Sequence, residues 1–212
     1  MDLKSRIDSV YGAASSRELA ERYDCWASEY DHDLEALLGY VAPRRAAELL
    51  ARHVGREARI LDAGAGTGLV AKALRPLGYR NLVGIDCSQG MLARAQEKGI
   101  YDALYCADLA QPLAFPTASF GAVVSVGVFT YGHVQANCLD ELIRVTAPGG
   151  FIIFSLRPDF YEQSDFGRTQ NALQARGRWE LVEAGAAFPC YARNGLDATL
   201  RFWTYRVTPK AA

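Results

Sequence analysis

The sequence predicts an α/β protein built on a doubly wound, mostly parallel sheet of seven strands, with one antiparallel terminal strand and helices ahead of the first strand. Three observations predict it. Between Ala58 and Ser155, short apolar runs alternate with amphipathic stretches at the spacing of βαβ units. The runs are continuously apolar rather than alternating, which is the pattern of strands covered by helices on both faces. Strands that alternate with helices imply parallel pairing through right-handed crossovers.

Taken in order, residues 16–53 read as helical, with Pro43 suited to the first turn of a second segment. The first strand, 59–63, closes on a carboxylate and then glycines; the second, 82–86, closes on Asp86. Ser88 is an N-cap for a helix carrying Met91, Leu92 and Ala95. A third strand, 103–106, is followed by Asp108, and a fourth spans 121–126. Leu139, Leu142 and Ile143 share one helical face, and Pro148-Gly149-Gly150 ends that helix ahead of strand five at 151–155. Residues 156–177 are polar and aromatic and read equally as helix or loop. Residues 179–188 and 199–207 read as two terminal strands, an antiparallel pair closing the sheet. No internal repeat interrupts this order, so one domain is expected.

Composition narrows the function. The chain has 212 residues and 23.2 kDa, half of them hydrophobic and 22% charged, which excludes a disordered or coiled-coil protein. The balance of 23 basic and 24 acidic residues, a net −1, offers no electrostatic footprint for duplex nucleic acid or an anionic membrane. Cys25, Cys87, Cys106, Cys138 and Cys190 are scattered with no CxxC pair, so reduced thiols and no metal site are expected. The N-terminus lacks the apolar core of a secretory signal, and no apolar run approaches the ~20 residues that span a bilayer. The expectation is a soluble, cytoplasmic protein.

The loop Asp62-Ala63-Gly64-Ala65-Gly66-Thr67-Gly68 follows strand one and opens a helix. Its glycines permit a tight turn and close approach of a ligand to backbone. The spacing is GxGxG rather than the dinucleotide fingerprint GxGxxG, and Asp62 ahead of it would repel pyrophosphate while welcoming an ammonium group. Asp86 is placed to accept both hydroxyls of a ribose, and Asp108 to meet the exocyclic amine of an adenine. Ribose, adenine and an amino acid without phosphates together describe S-adenosyl-L-methionine.

With these residues in order (ILDAGAGTG, LVGIDCSQGML, YCADL, FGAVVSVGV and LIRVTAPGGFIIFSL) the sequence resembles the class I S-adenosylmethionine-dependent methyltransferases. The upstream segment YDCWASEYD, from Tyr23 to Asp31, and Gly68-Leu69-Val70-Ala71 make it particularly similar to the Williams–Beuren syndrome region methyltransferase-like proteins. The resemblance implies a Rossmann-like fold, S-adenosyl-L-methionine as cofactor and S-adenosyl-L-homocysteine as product. It also implies a single domain over 1–212: a helical lid at 1–57, a cofactor-binding core at 58–155, and a substrate-side segment with the terminal strands at 156–212. Carried over by position, it makes Gly64, Ala65, Gly66 and Gly68 the floor of the cofactor site. Asp62 then orients the amino-acid end, Asp86 and Cys87 meet the ribose, and Asp108 and Leu109 frame the adenine. Ser125 and Val126 would face the sulfonium, Met91 would pack on the adenine, and Tyr23, Trp26 and Tyr30 would fold over the cofactor. The competing readings are plain core packing for Met91 and for Trp26.

Methyl transfer from a sulfonium asks the protein to position a nucleophile in line and, for some acceptors, to remove a proton. His133 is the candidate base, in the loop after strand four, with Tyr131 and Thr130 as orienting donors; a helix-capping role for His133 is the alternative. Phe129, Tyr131, Phe160, Tyr161 and Phe166 could form an aromatic wall, and Arg157 at the end of strand five could bind an acidic group or simply be solvated. Cys190, after Pro189, reads as core. The expected acceptor is a small organic molecule methylated on O, N or S, with no metal, no nucleic acid and no membrane, by a monomer or homodimer. The alternatives are a protein that binds the cofactor without transferring methyl, or uses it to steer another reaction, and a nicotinamide oxidoreductase, which the GxGxG spacing and Asp62 disfavour.

Overall fold

The structure is a computed structural model and describes residues 2–131, 135–193 and 198–209. Its strands are β1 (Ile60–Ala63), β2 (Leu82–Asp86), β3 (Ala103–Cys106), β4 (Phe120–Phe129), β5 (Thr146–Leu156), β6 (Trp179–Ala184), β7 (Phe188–Pro189) and β8 (Thr199–Val207). They form one sheet in the order β3-β2-β1-β4-β5-β8-β6, with the two-residue β7 paired to β8 off this path. The first five strands pair in parallel. β8 runs antiparallel to both of its neighbours, β5 and β6. Winding proceeds outward in one direction from β1 through β2 to β3 and in the other through β4 to β5. The carboxyl ends of β1 and β4 therefore flank a switch point, the place where open α/β sheets hold ligands.

Helices cover both faces. α1 (Leu3–Tyr11) and α2 (Ser16–Asp31) lead into a π-helical turn, His32–Leu38, and α3 (Ala42–His53). α4 (Leu69–Leu74) follows β1, α5 (Gln89–Glu97) follows β2, and α6 (Cys138–Val145) precedes β5. α7 (Pro158–Gln163) and α8 (Phe166–Ala175) lie between β5 and β6. Successive strand residues point to opposite faces, and both faces are filled. Leu61, Val123 and Phe154 belong to the core under α6 and α8, whereas Ile60, Ala122 and Ile153 pack with α3 and α4. This two-sided burial is why the strands read as unbroken apolar runs.

Local chemistry accounts for several boundaries. Ser88 caps α5 by accepting from Met91 N at 3.0 Å, as its position predicts. Ser15 accepts from Glu18 N at 3.2 Å while Glu18 accepts from Ala14 N at 2.9 Å, a reciprocal cap at the start of α2. The structure also departs from expectation. The N-terminal helical region begins earlier, with α1, and the 16–53 stretch breaks at Gly39, whose φ of 63° ends the π-helical turn. The undecided segment 156–177 is largely helical, with Pro158 in the first turn of α7. The helix before β5 ends at Val145, and Pro148, Gly149 and Gly150 lie within β5. The 179–188 run is two strands, β6 and β7, parted at Gly185, whose N–H instead donates to Phe202 O at 2.9 Å.

Candidate active site

The glycine loop leaves β1 at the switch point. Gly64, Gly66 and Gly68 have φ values of 82°, 53° and 89°, a region that favours glycine. Gly64 N and Ala65 N both donate to Ile85 O at 2.9 Å, which folds the loop against β2. Asp86, at the end of β2, accepts from Gly66 N at 2.8 Å through Oδ2 and from Ser88 N at 2.9 Å through Oδ1. One carboxylate thus fixes the loop and the start of α5 while keeping lone pairs for a ligand. Burial raises its pKa, offset by these backbone donors.

Asp62 is 1% exposed. Its Oδ2 accepts from Tyr101 Oη at 2.6 Å, and its Oδ1 is buried without a partner among the described residues. Burial pushes its carboxyl up to about 7, against the hydrogen bond from Tyr101, with the Asp86 charge adding to the rise. An orphaned acceptor of this kind is costly unless something donates to it.

A cavity of about 390 Å³ opens over this loop, within the size range of small-molecule and cofactor sites. Of the residues expected from sequence, Tyr23, Tyr30, Gly64, Gly66, Asp86, Cys87, Met91, Asp108, Leu109 and Val126 line it. A Cβ built on Gly66 meets nothing within 4 Å, so the backbone is bare toward open space there. The lining carries Asp86 and Asp108 and, among the described residues, no lysine or arginine, which suits a neutral nucleoside bearing cationic groups and opposes phosphates.

Other expected residues stand elsewhere. Ala65 and Gly68 shape the loop without lining the cavity; a Cβ on Gly68 would lie 3.0 Å from the Tyr101 ring. Asp62 is buried and does not line the cavity. Ser125 is fully buried and donates to Ala63 O at 2.8 Å, tying β4 to β1 rather than facing a ligand. Trp26 donates to buried Asp33 at 2.7 Å and borders a second, inner cavity instead of the first. Tyr131 lines neither cavity: its ring packs edge-on to Phe160 with centroids 5.0 Å apart, and its hydroxyl donates to Gln163 at 3.2 Å. His133 lies outside the described residues. Of the expected aromatic wall only Phe129 reaches a cavity; Phe160, Tyr161 and Phe166 pack into the core, Tyr161 on Trp203 at 4.8 Å. Met91 is buried and also borders the larger cavity, so core packing and a place at the site are compatible there; Cys190 is buried, the core position expected of it, and also borders the smaller cavity.

The sequence reading did not anticipate the wall built by Ala13, Ala14, Ser15, Ser16 and Leu19. The available signal was the Ser15–Glu18 cap, which marks a chain reversal between α1 and α2. α2 is latched across the loop by acids. Asp24 accepts from Ser88 Oγ at 2.6 Å and Gly90 N at 2.7 Å, Asp31 accepts from Thr67 and pairs with Lys98 at 2.6 Å, and Glu35 in the π-helical turn pairs with Lys72 at 2.8 Å.

A sheet in this order with β8 antiparallel, a glycine loop at the switch point and acids closing the first strands define a class I S-adenosylmethionine-dependent methyltransferase. The comparisons with known proteins agree. Residues 61–154 match a family described as a methyltransferase domain. The chain is 37% identical over 191 residues to human Methyltransferase-like protein 27, covering 86% of this chain and 77% of that protein. It is 35% identical over 165 residues to a malonyl-[acyl-carrier protein] O-methyltransferase of Erwinia pyrifoliae, of which it spans 61%. A solved putative S-adenosyl-L-methionine-dependent methyltransferase of Methanococcus maripaludis superposes with a TM-score of 0.65 at 17% identity, over 89% of this chain and 94% of that one. The chain belongs to the class I S-adenosylmethionine-dependent methyltransferases. Membership implies S-adenosylmethionine as cofactor and a methyl acceptor as second substrate. No helix among the described residues is long and apolar enough to cross a membrane.

Proposed function

We propose that this protein transfers a methyl group from S-adenosylmethionine to an oxygen, nitrogen or sulfur atom of a small organic acceptor by in-line displacement. The observation that carries the reading is a pair of cavities, of about 390 Å³ and about 60 Å³, that share Tyr23, Tyr30 and Gly127 as a common wall. The larger one takes the cofactor and the smaller one the reacting end of the acceptor. In this reading Asp86 accepts the ribose hydroxyls, Asp108 and Leu109 frame the adenine, and Met91 packs on it. Gly64 and Gly66 form the floor, and Asp62, buried and outside the lining, orients the amino-acid end through water. S-adenosylmethionine, when bound, supplies a methyl group already activated by the sulfonium charge. The chain's own part is orientation and exclusion of water, by Tyr23 and Tyr30 on α2 above and Val126 and Gly127 below. The relatives named malonyl-[acyl-carrier protein] O-methyltransferases favour oxygen among the three acceptor atoms.

The test is mass spectrometry of small-molecule mixtures incubated with the protein and methyl-labelled cofactor. Label appearing in an acceptor together with S-adenosylhomocysteine supports transfer. Cofactor binding with no labelled product in any mixture would favour a protein that holds the cofactor for another purpose.

Residues 1–57 serve in this reading as the lid, with α1 and α2 closing the cofactor cavity. Hydrogen exchange in 16–40 is therefore expected to slow when S-adenosylhomocysteine binds, and equal protection in both states would count against a lid.

Asp62 adds a pH dependence. Its free carboxyl titrates near 7, and a bound ammonium group would favour the ionised form and lower that pKa. Binding below that pH then releases a proton, so cofactor affinity should fall by up to about tenfold per pH unit below 7 and level off above it. The same shift means that, without ligand, this group's contribution to stability falls as pH rises from its ordinary 3.8 toward about 7. Calorimetry at several pH values checks both signs, and Asp62→Asn should flatten the affinity profile. A profile that stays steep in Asp62→Asn assigns the proton to another group.

A further inference from the structure

The inner cavity is lined by one cation, several hydroxyls and, among the described residues, no carboxylate. Arg157, between β5 and α7, is its charged residue among those described. It donates from Nε to Asp159 Oδ1 at 3.0 Å and from Nη2 to Oδ2 at 2.7 Å, which occupies one edge of the guanidinium. Asp159 does not line the cavity, and its side chain is 46% exposed against 23% for Arg157. The countercharge therefore sits on the wet side of the pair. Thr130, just after β4, is 5% exposed, and its Oγ1 is buried with no hydrogen-bond partner among the described residues.

The rest of the polar lining is mostly phenolic, with the Trp26 indole, whose N–H is taken by Asp33, and Tyr11, which hydrogen-bonds Arg157. Burial raises the pKa values of Tyr23, Tyr30, Tyr40 and Tyr191, so each stays a protonated hydroxyl, a donor and not a base. Cys190, which also borders the cavity, is likewise held as a thiol, with burial pushing it up to about 11. A chamber that offers a guanidinium, an unsatisfied hydroxyl and protonated phenols asks its occupant for negative charge and acceptor atoms. Its size limits what can enter. A volume of about 60 Å³ is a few times the roughly 10–15 Å³ that one water needs, which admits a head group of a few heavy atoms.

We propose that this inner cavity is a carboxylate site, in which Arg157 and Thr130 hold the acid group of a small organic acid that is the methyl acceptor. The proposal rests on the reading of the larger cavity as the cofactor site. A carboxylate matches the in-plane N–H groups of one guanidinium and the narrow, aromatic walls, whereas phosphate brings a second charge for which the lining has no second cation among the described residues.

The experiment titrates butanoate, butanamide, butylamine and inorganic phosphate into the protein saturated with S-adenosylhomocysteine, followed by calorimetry and ligand-observed NMR. Butanoate is expected to bind at least about tenfold more tightly than the amide or the amine. Arg157→Gln should abolish that preference while leaving S-adenosylhomocysteine affinity and the melting temperature close to wild type. Thr130→Val keeps the shape of the side chain and should weaken butanoate by about three- to tenfold, which decides the matter if Arg157→Gln fails to fold. Equal binding of acid and amide, no detectable butanoate binding, or a preference that survives in both variants would overturn the proposal. Phosphate binding more tightly than butanoate would overturn the carboxylate assignment. Failure of S-adenosylhomocysteine itself to bind wild type would overturn the cofactor reading and this proposal together. Tight S-adenosylhomocysteine with indifferent butanoate would overturn this proposal alone.

Discussion

Replacing Gly64 by alanine is expected to lower stability by about 2–5 kcal/mol and to abolish cofactor binding, the larger part of the loss coming from one clash. Gly64 has a φ of 82°, and a Cβ built on it would lie 2.1 Å from Val128 Cγ2 and 3.4 Å from Val128 Cβ. Val128 lies in β4 beyond its pairing with β1, which ends at Asp62–Val124, and the obstacle is a methyl of a short β-branched side chain with little freedom to swing away. The strained backbone accounts for about 1–2 kcal/mol, and overpacking adds about 1–3. Because Gly64 and Val128 both line the larger cavity, relief of the clash would deform the floor on which a ligand must sit. Gly66→Ala is the contrast. Its φ is 53° but its Cβ would meet nothing within 4 Å, so it should lose only about 1–2 kcal/mol of stability while placing a methyl group in the cavity. Denaturant unfolding together with calorimetry separates the two. A Gly64→Ala protein as stable as wild type would show that β4 yields more readily than this packing implies.

The parts of the site that were legible in the sequence lie close to one another along the chain. Asp62, Asp86 and Asp108 each follow an apolar run, and a parallel sheet brings successive strand ends to one edge, so a local pattern has a predictable place in three dimensions. The N-cap at Ser88 was legible for the same reason. The inner cavity was not, because it is assembled from distant segments. Tyr40 meets Tyr191 across an isolated bridge, and Cys190 reaches the same place because β7 pairs with β8. Nothing near Tyr40 in sequence announces Tyr191. Tyr131 shows the opposite failure: its loop belongs to the edge that holds ligands, but the ring is drawn aside by Phe160 on α7, an element the sequence left undecided between helix and loop. The wall from Ala13 to Ser16 was missed because small residues at a chain reversal carry no periodicity, and only their place around the same cavity as the glycine loop gives them a role.

Asp86→Ala is expected to weaken cofactor binding by about a hundredfold or more while changing the melting temperature by only a few degrees, and the pairing of those two outcomes is what makes it informative. A buried carboxylate that accepts from Gly66 N and Ser88 N looks structural at first sight, and its removal would be expected to loosen the loop. Its raised pKa says otherwise: burial penalises the charged form by more than the backbone donors return. Alanine removes that penalty along with the two hydrogen bonds; the freed Gly66 N–H faces a cavity that water can enter, while that of buried Ser88 is left without its acceptor. The stability terms therefore oppose one another. The binding terms do not, since in the proposed placement two ribose hydroxyls would donate to this carboxylate through charge-assisted hydrogen bonds of about 1.5–3 kcal/mol each. Asp86→Asn, with one acceptor oxygen left, should fall between wild type and alanine in affinity. If Asp86→Ala instead unfolds the protein, the carboxylate is chiefly a strut for the glycine loop. If it binds S-adenosylhomocysteine as wild type does, the ribose lies elsewhere in the cavity and Asp108 becomes the acid to test. A protein that holds its fold and loses its ligand would show that Asp86 is retained against its own cost of burial because a ligand completes its hydrogen bonds.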